Sequence, residues 1–89
     1  MGFYSIVWKN SAKKELKRLP KPVIKKILFY VEQLQNNIQP VGSKKIVGLN
    51  HTYRLRTGDY RIVYSVQNDT LIIEIIRVGH RKEIYRKIT

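Results

Sequence analysis

The chain has 89 residues, room for one domain and too few for two, and 43% of them are hydrophobic, which fits a globular rather than a disordered chain. It has no cysteine, which removes disulfides and thiolate metal sites. Its 18 Lys and Arg against six Asp and Glu give a formal net charge of +12, beyond the ~2–8 that solubility alone requires. Such a field selects a polyanionic partner: nucleic acid first, then an anionic membrane or an acidic protein.

No apolar run approaches the ~18–20 residues that span a bilayer, so no membrane segment is expected. The opening run, residues 2–8, is too short for a secretory h-region and lacks a basic start, so no leader is expected either. The reading is a single cytoplasmic domain over residues 1–89, and the absence of cysteine fits a reducing compartment.

Residues 3–8 are rich in aromatic and β-branched types and predict a strand. Asn10 or Ser11 is positioned to cap a helix in which Ala12, Leu16 and Leu19 share one face. Pro20 stops it, and Pro22 suits the first turn of a second helix. There Ile24, Ile27, Leu28, Val31 and Leu34 or Gln35 follow a 3.6-residue period, to about Asn36. Residues 37–52 read as a connector that Ile46, Val47 and Leu49 pin to the core.

The period then changes to two. Tyr53-Arg54-Leu55-Arg56 alternates, Thr57-Gly58-Asp59 signals a turn, and residues 60–66 alternate again with Tyr60, Ile62, Tyr64 and Val66 on one side. Gln67-Asn68-Asp69-Thr70 is a second turn. Residues 71–78 are apolar on both parities and predict a central strand covered on both faces, ended by Gly79. Residues 80–88 form a short basic tail. The fold class is α+β in the order β-α-α-β-β-β, two N-terminal helices packed on a small, mainly antiparallel sheet. The first strand takes an edge or a parallel neighbour.

Arg54 and Arg56, two apart, point to one face, opposite Tyr53 and Leu55. A hairpin loop with an even number of residues brings Arg61 to that face, and an odd one sends it to the other. Arg77, Arg81 and Arg86 lie at the end of the last strand and beyond it, with Lys82 among them. Guanidinium groups converging on one concave sheet face make a phosphate site. Taken singly, each arginine reads equally well as a solvated sheet edge. Tyr53, Tyr60 and Tyr64 read as core packing. Tyr85 lies between Ile84 and Arg86, where it either stacks on a base, exchanges a proton, or folds the tail onto the sheet. His51 and His80 lack the spacing and the further ligands of a zinc site, and no Gly-rich phosphate loop is present. Six carboxylates leave little for paired-carboxylate or metal-dependent nuclease chemistry.

The run Gly58-Asp59-Tyr60-Arg61-Ile62-Val63-Tyr64, followed by Gly79-His80-Arg81-Lys82-Glu83-Ile84-Tyr85, resembles the RelE/ParE superfamily of type II toxins, in its RelE-like branch. The opening strand and helix pair extend the resemblance over nearly the whole chain. It implies the microbial RNase-type fold of RelE and ribosome-dependent cleavage of mRNA by attack of a 2′-hydroxyl on the adjacent phosphate, without metal or other cofactor. Carried over by position, Arg61 and Arg81 hold and neutralise the scissile phosphate, and Tyr85 stacks on the nucleotide or moves a proton. Arg54 and Arg56, with Arg77, Lys82 and Arg86, line the RNA path. Arg54 and Arg56 fall where the family often has a pair that includes lysine, and arginine is a poor base at neutral pH. That leaves His80 and Tyr85 as candidate proton carriers.

The resemblance also implies a stress-response toxin with a small antitoxin as partner, in a hetero-oligomer, alongside the ribosome and mRNA and away from membranes. Two other readings compete with it. One is a ParE-like toxin that inhibits gyrase without nuclease chemistry, and the other is an inactive nucleic-acid-binding homologue. The presence of Arg61, Arg81 and Tyr85 together favours the nuclease.

Overall fold

A computed structural model of the chain describes residues 3–80. The elements are β1 (Ser5–Trp8), α1 (Asn10–Lys17), α2 (Lys21–Gln33), β2 (Ser43–Lys45), β3 (Thr52–Thr57), β4 (Tyr60–Gln67) and β5 (Ile72–His80). They form a five-stranded sheet in the order β1-β5-β4-β3-β2. β1 runs parallel to β5 at one edge, and every other neighbouring pair is antiparallel.

α1 is built from good helix formers, Ala12 to Lys17, and basic Lys14 and Lys17 in its last turn oppose the negative end of the helix dipole. It starts without the cap expected from Asn10 or Ser11: Lys9 is the N-cap residue and makes no side-chain capping bond. Pro20 fills the same position for α2, and Pro22 lies in its first turn, where a missing N–H costs nothing. α2 closes at Gln33, a turn earlier than its apolar period suggests.

Both helices bury one stripe against the sheet. Ala12, Ile27, Val31 and Leu34 meet Leu55, Ile62, Tyr64, Val66, Ile73, Ile75 and Val78, with Leu16 and Leu19 packed alongside. Leu28, expected in that stripe, is exposed together with Phe29. Tyr53 and Tyr64 stack at 5.6 Å, and the Tyr64 hydroxyl donates to the Ile38 carbonyl at 2.6 Å. Burial raises the Tyr64 phenol from 10.0 to about 12, against the lowering pull of a hydrogen bond with Ser43.

Five expectations change. The connector contains β2, a three-residue strand paired with β3. Val47 is 97% exposed and Leu49 is exposed too, so Ile38, not these two, packs on the core from this segment. The central strand is β4, not β5. β5 alternates between buried Ile73 and Ile75 and half-buried Ile72, Glu74 and Ile76, because the helices cover one face only. It also runs through Gly79 to His80 instead of stopping at the glycine.

Candidate nucleic-acid interface

The β3–β4 hairpin decides where the arginines go. Its loop is Gly58-Asp59, since Thr57 and Tyr60 are the last paired residues. Gly58 has φ +63°, a conformation that glycine adopts without a steric penalty. The two-residue loop sets the even register, so Arg56 stands opposite Arg61 and Arg54 opposite Val63. On the outer side Lys44 of β2 stands opposite Arg54. Three strands thus place four cations on the sheet face away from the helices.

These side chains surround a hollow of about 230 Å³ lined by Gly42, Lys44, Arg54, Arg56 and Arg61. Among the described residues, none of those lining it is acidic. Gly42, at φ +95°, closes one wall and accepts the Arg56 backbone N–H at 3.1 Å. Like charges directly opposite in a ladder destabilise the sheet by about 0.2–1 kcal/mol a pair. Here two such pairs adjoin, Arg56 with Arg61 and Lys44 with Arg54.

Arg61 differs from its neighbours in burial, with 1% exposure against the open Arg56. Its Nη1 donates to the Gly58 carbonyl at 3.4 Å and the Tyr60 carbonyl at 3.2 Å. The turn therefore fixes the guanidinium before any ligand arrives.

Two residues expected at the site, Arg77 and His80, do not line this hollow. Arg77 pairs in register with Val63, but its guanidinium goes to Glu15 of α1, with Nη2 to Oε2 at 2.5 Å and Nε to Oε2 at 3.2 Å. Acid and base meet there at the edge of β5, so Arg77 is not among the described residues that line the hollow. His80 is the register partner of Tyr60, and their rings meet edge to face at 5.7 Å. Tyr60 packs on the core, so His80 lies on the helix side, in a cavity shared with Arg18, Leu19 and Pro20. Arg61 is paired with Gly79 instead and faces the other way. Arg81, Lys82, Tyr85 and Arg86 lie outside the described residues.

Residues 6–85 match the family described as ParE toxin of type II toxin-antitoxin system, parDE. Toxin RelE3 of Methanocaldococcus jannaschii is 42% identical over 76 residues, which cover 81% of this chain and 84% of that protein. The chain belongs to the RelE/ParE superfamily of type II toxins. Solved members of the family share its fold. The archaeal RelE from Pyrococcus horikoshii, in complex with RelB, superposes with a TM-score of 0.79 at 28% identity, over 89% of this chain and 96% of that one. RelE from Methanococcus jannaschii, also solved with RelB, gives 0.70 at 34% identity, over 93% and 99%. The matching family is named for ParE, whereas these relatives are named for RelE.

Sequence reasoning missed Lys44, Gly42 and Glu15. Lys44 and Gly42 lie in the segment expected to be a connector, and the three-residue β2, which contains Lys44 and follows Gly42, brings them to the hollow. Glu15 offered a faint signal as the only acid in the basic segment NSAKKELK. Among the described residues no group of three His, Cys, Asp or Glu side chains gathers, and no helix is long and apolar enough to cross a membrane.

Proposed function

We propose that this toxin is an endoribonuclease that cuts mRNA on the ribosome. The observation that carries the reading is the hollow in which Lys44, Arg54, Arg56 and a buried Arg61 gather on one sheet face. Planar guanidinium groups bind phosphate through paired N–H donors, and a prearranged cation stabilises charge that grows on a phosphate during transfer. The resemblance to RelE-like toxins implies the reaction class, and kinship with a RelE-named toxin is in keeping with it.

In this reaction the 2′-oxygen forms a bond to phosphorus while the bond from phosphorus to the 5′-oxygen breaks. The products are a cyclic phosphate and a 5′-hydroxyl. The 2′-hydroxyl proton goes to a base, and the departing 5′-oxygen gains one from an acid. Arg61 holds the phosphate, and Arg81, two residues beyond Gly79, neutralises it and assists the leaving oxygen. Tyr85 stacks on the nucleotide and carries protons, ahead of His80, whose ring sits beside Tyr60. Arg54, Arg56 and Lys44 line the RNA path, joined by Lys82 and Arg86. Arg77 is left out because Glu15 holds it.

A small antitoxin is the expected partner in a hetero-oligomer. An acidic or amphipathic segment over the hollow would block RNA, and relatives solved with RelB agree with that expectation. The site of action is the cytoplasm, where ribosomes and mRNA lie. The ParE description of the matching family keeps one second reading in view, gyrase inhibition without cleavage. The test is purified toxin added to ribosomes programmed with a defined mRNA. New 5′-hydroxyl ends support the nuclease. Intact mRNA together with blocked DNA supercoiling by gyrase supports the second reading.

A further inference from the structure

β5 outruns the strand that flanks it. β1 pairs with it only as far as Trp8 opposite Ile75, so among the described residues no strand flanks residues 76–80 on that side. Bare edges leave backbone donors unsatisfied and invite misplaced pairing. α1 turns alongside this edge. The Lys9 N–H donates to the Ile75 carbonyl at 3.0 Å, where strand pairing ends. Further along α1, Glu15 closes the gap: its Oε1 accepts the Val78 N–H at 3.1 Å, and its Oε2 accepts both Arg77 donors.

The clasp falls at a sensitive point. The β4–β5 register slips between Val63 and Tyr64, which leaves Ile76 as an extra residue on β5. Everything beyond it depends on restoring the ladder, Val63 with Arg77, Ile62 with Val78 and Arg61 with Gly79. Glu15 grips the first two residues after the slip, next to the partner of Arg61. The Glu15 and Arg77 side chains are only 22% and 16% exposed, so water screens the pair weakly. Arg77 Nη1 is buried with no hydrogen-bond partner among the described residues, so the Glu15 contacts carry this guanidinium.

We propose that Glu15 is a positioning residue for RNA cleavage. Through Arg77 and the Val78 N–H it fixes the end of β5 and sets Gly79 opposite Arg61, a cation that the nuclease reading places on the scissile phosphate. The proposal rests on the nuclease reading above. It makes one α1 carboxylate, on the far side of the sheet from the arginine hollow, a determinant of the catalytic rate.

The experiment compares the wild-type full chain with Glu15→Gln, Glu15→Ala and Arg77→Gln, at a temperature where circular dichroism shows each folded. Two quantities are measured: cleavage by programmed ribosomes, separated into kcat and KM, and amide exchange by residue. The account expects Val78, Gly79 and His80 to exchange about tenfold faster while β3 and β4 amides stay protected. It expects kcat to fall about ten- to a hundredfold with KM nearly unchanged, since a misplacement of about 1 Å carries that penalty. Folded variants with unchanged kcat overturn the proposal. So does a uniform loss of protection across the sheet that accounts for the lost activity, because Glu15 then acts only through stability. If Glu15→Ala does not fold, Glu15→Gln and Arg77→Gln decide the matter. Should the wild type leave mRNA intact, the nuclease reading fails, while exchange at Val78 still reports on the clasp.

Discussion

Arg56 and Arg61 stand directly opposite each other across the β3–β4 ladder, one open to solvent and the other sealed. The pair divides the work of a phosphate site. The sealed guanidinium is held in place by the turn carbonyls, and the open one remains free to follow an incoming strand. Removing the open member should not harm the fold. Arg56→Ala should leave stability unchanged or raise it by about 0.2–1 kcal/mol, as a like-charge pair is relieved. RNA binding should weaken, and the salt dependence of log Kd should flatten by about one ion. A salt titration of Kd checks this.

Arg61 should behave differently. Its donors satisfy two carbonyls of the hairpin, so Arg61→Ala should cost about 1–3 kcal/mol of stability as well as activity. Arg61→Lys keeps the charge but loses the planar fork, and cleavage should fall about 10²–10³-fold with a smaller loss of stability. Urea denaturation and cleavage rates, measured on the same preparations, separate the two effects.

His80→Gln should leave the cleavage rate within about twofold, while Tyr85→Phe should lower it by about 10²–10⁴, the usual worth of a placed acid or base. The ring contact of His80 with Tyr60, on the helix side, motivates this split. A large loss in His80→Gln with Tyr85→Phe unaffected would reverse the assignment.

Much of this was legible in the sequence because the two periods are clean. Tyr53 and Leu55 against Arg54 and Arg56 fixed both faces of β3, and only the parity of the Gly58-Asp59 loop was open. The helix pair announced itself through Pro20 and Pro22. What stayed hidden depends on contacts distant in the chain. β2 is three residues long and exists only by pairing with β3, so its composition carried no strand signal. Arg77 and Glu15 are 62 positions apart, and no local pattern predicts their meeting. Isoleucines on both parities of residues 71–78 predict cover on both faces, whereas the helices cover one face and leave the other half-buried.

Tyr64 gives a prediction in alkali. Burial holds its phenol near 12 in the folded chain, against 10.0 when unfolded. Its contribution to stability is therefore complete below pH 10 and is lost as pH rises through about 12. Tyr64→Phe should remove that part of the alkaline slope. At neutral pH it should cost about 0.5–1.5 kcal/mol, the worth of the bond to the Ile38 carbonyl. Thermal melts from pH 7 to 12 for both proteins check both statements.

The central claim is that the arginine hollow cuts RNA. The most direct measurement maps 5′-hydroxyl RNA ends in cells after induction of the wild type and, separately, of Arg61→Lys and Arg81→Ala. The account predicts new ends within translated regions for the wild type, strongly reduced in both variants. Growth arrest by the wild type without such ends, or equal cutting by the two variants, would contradict it.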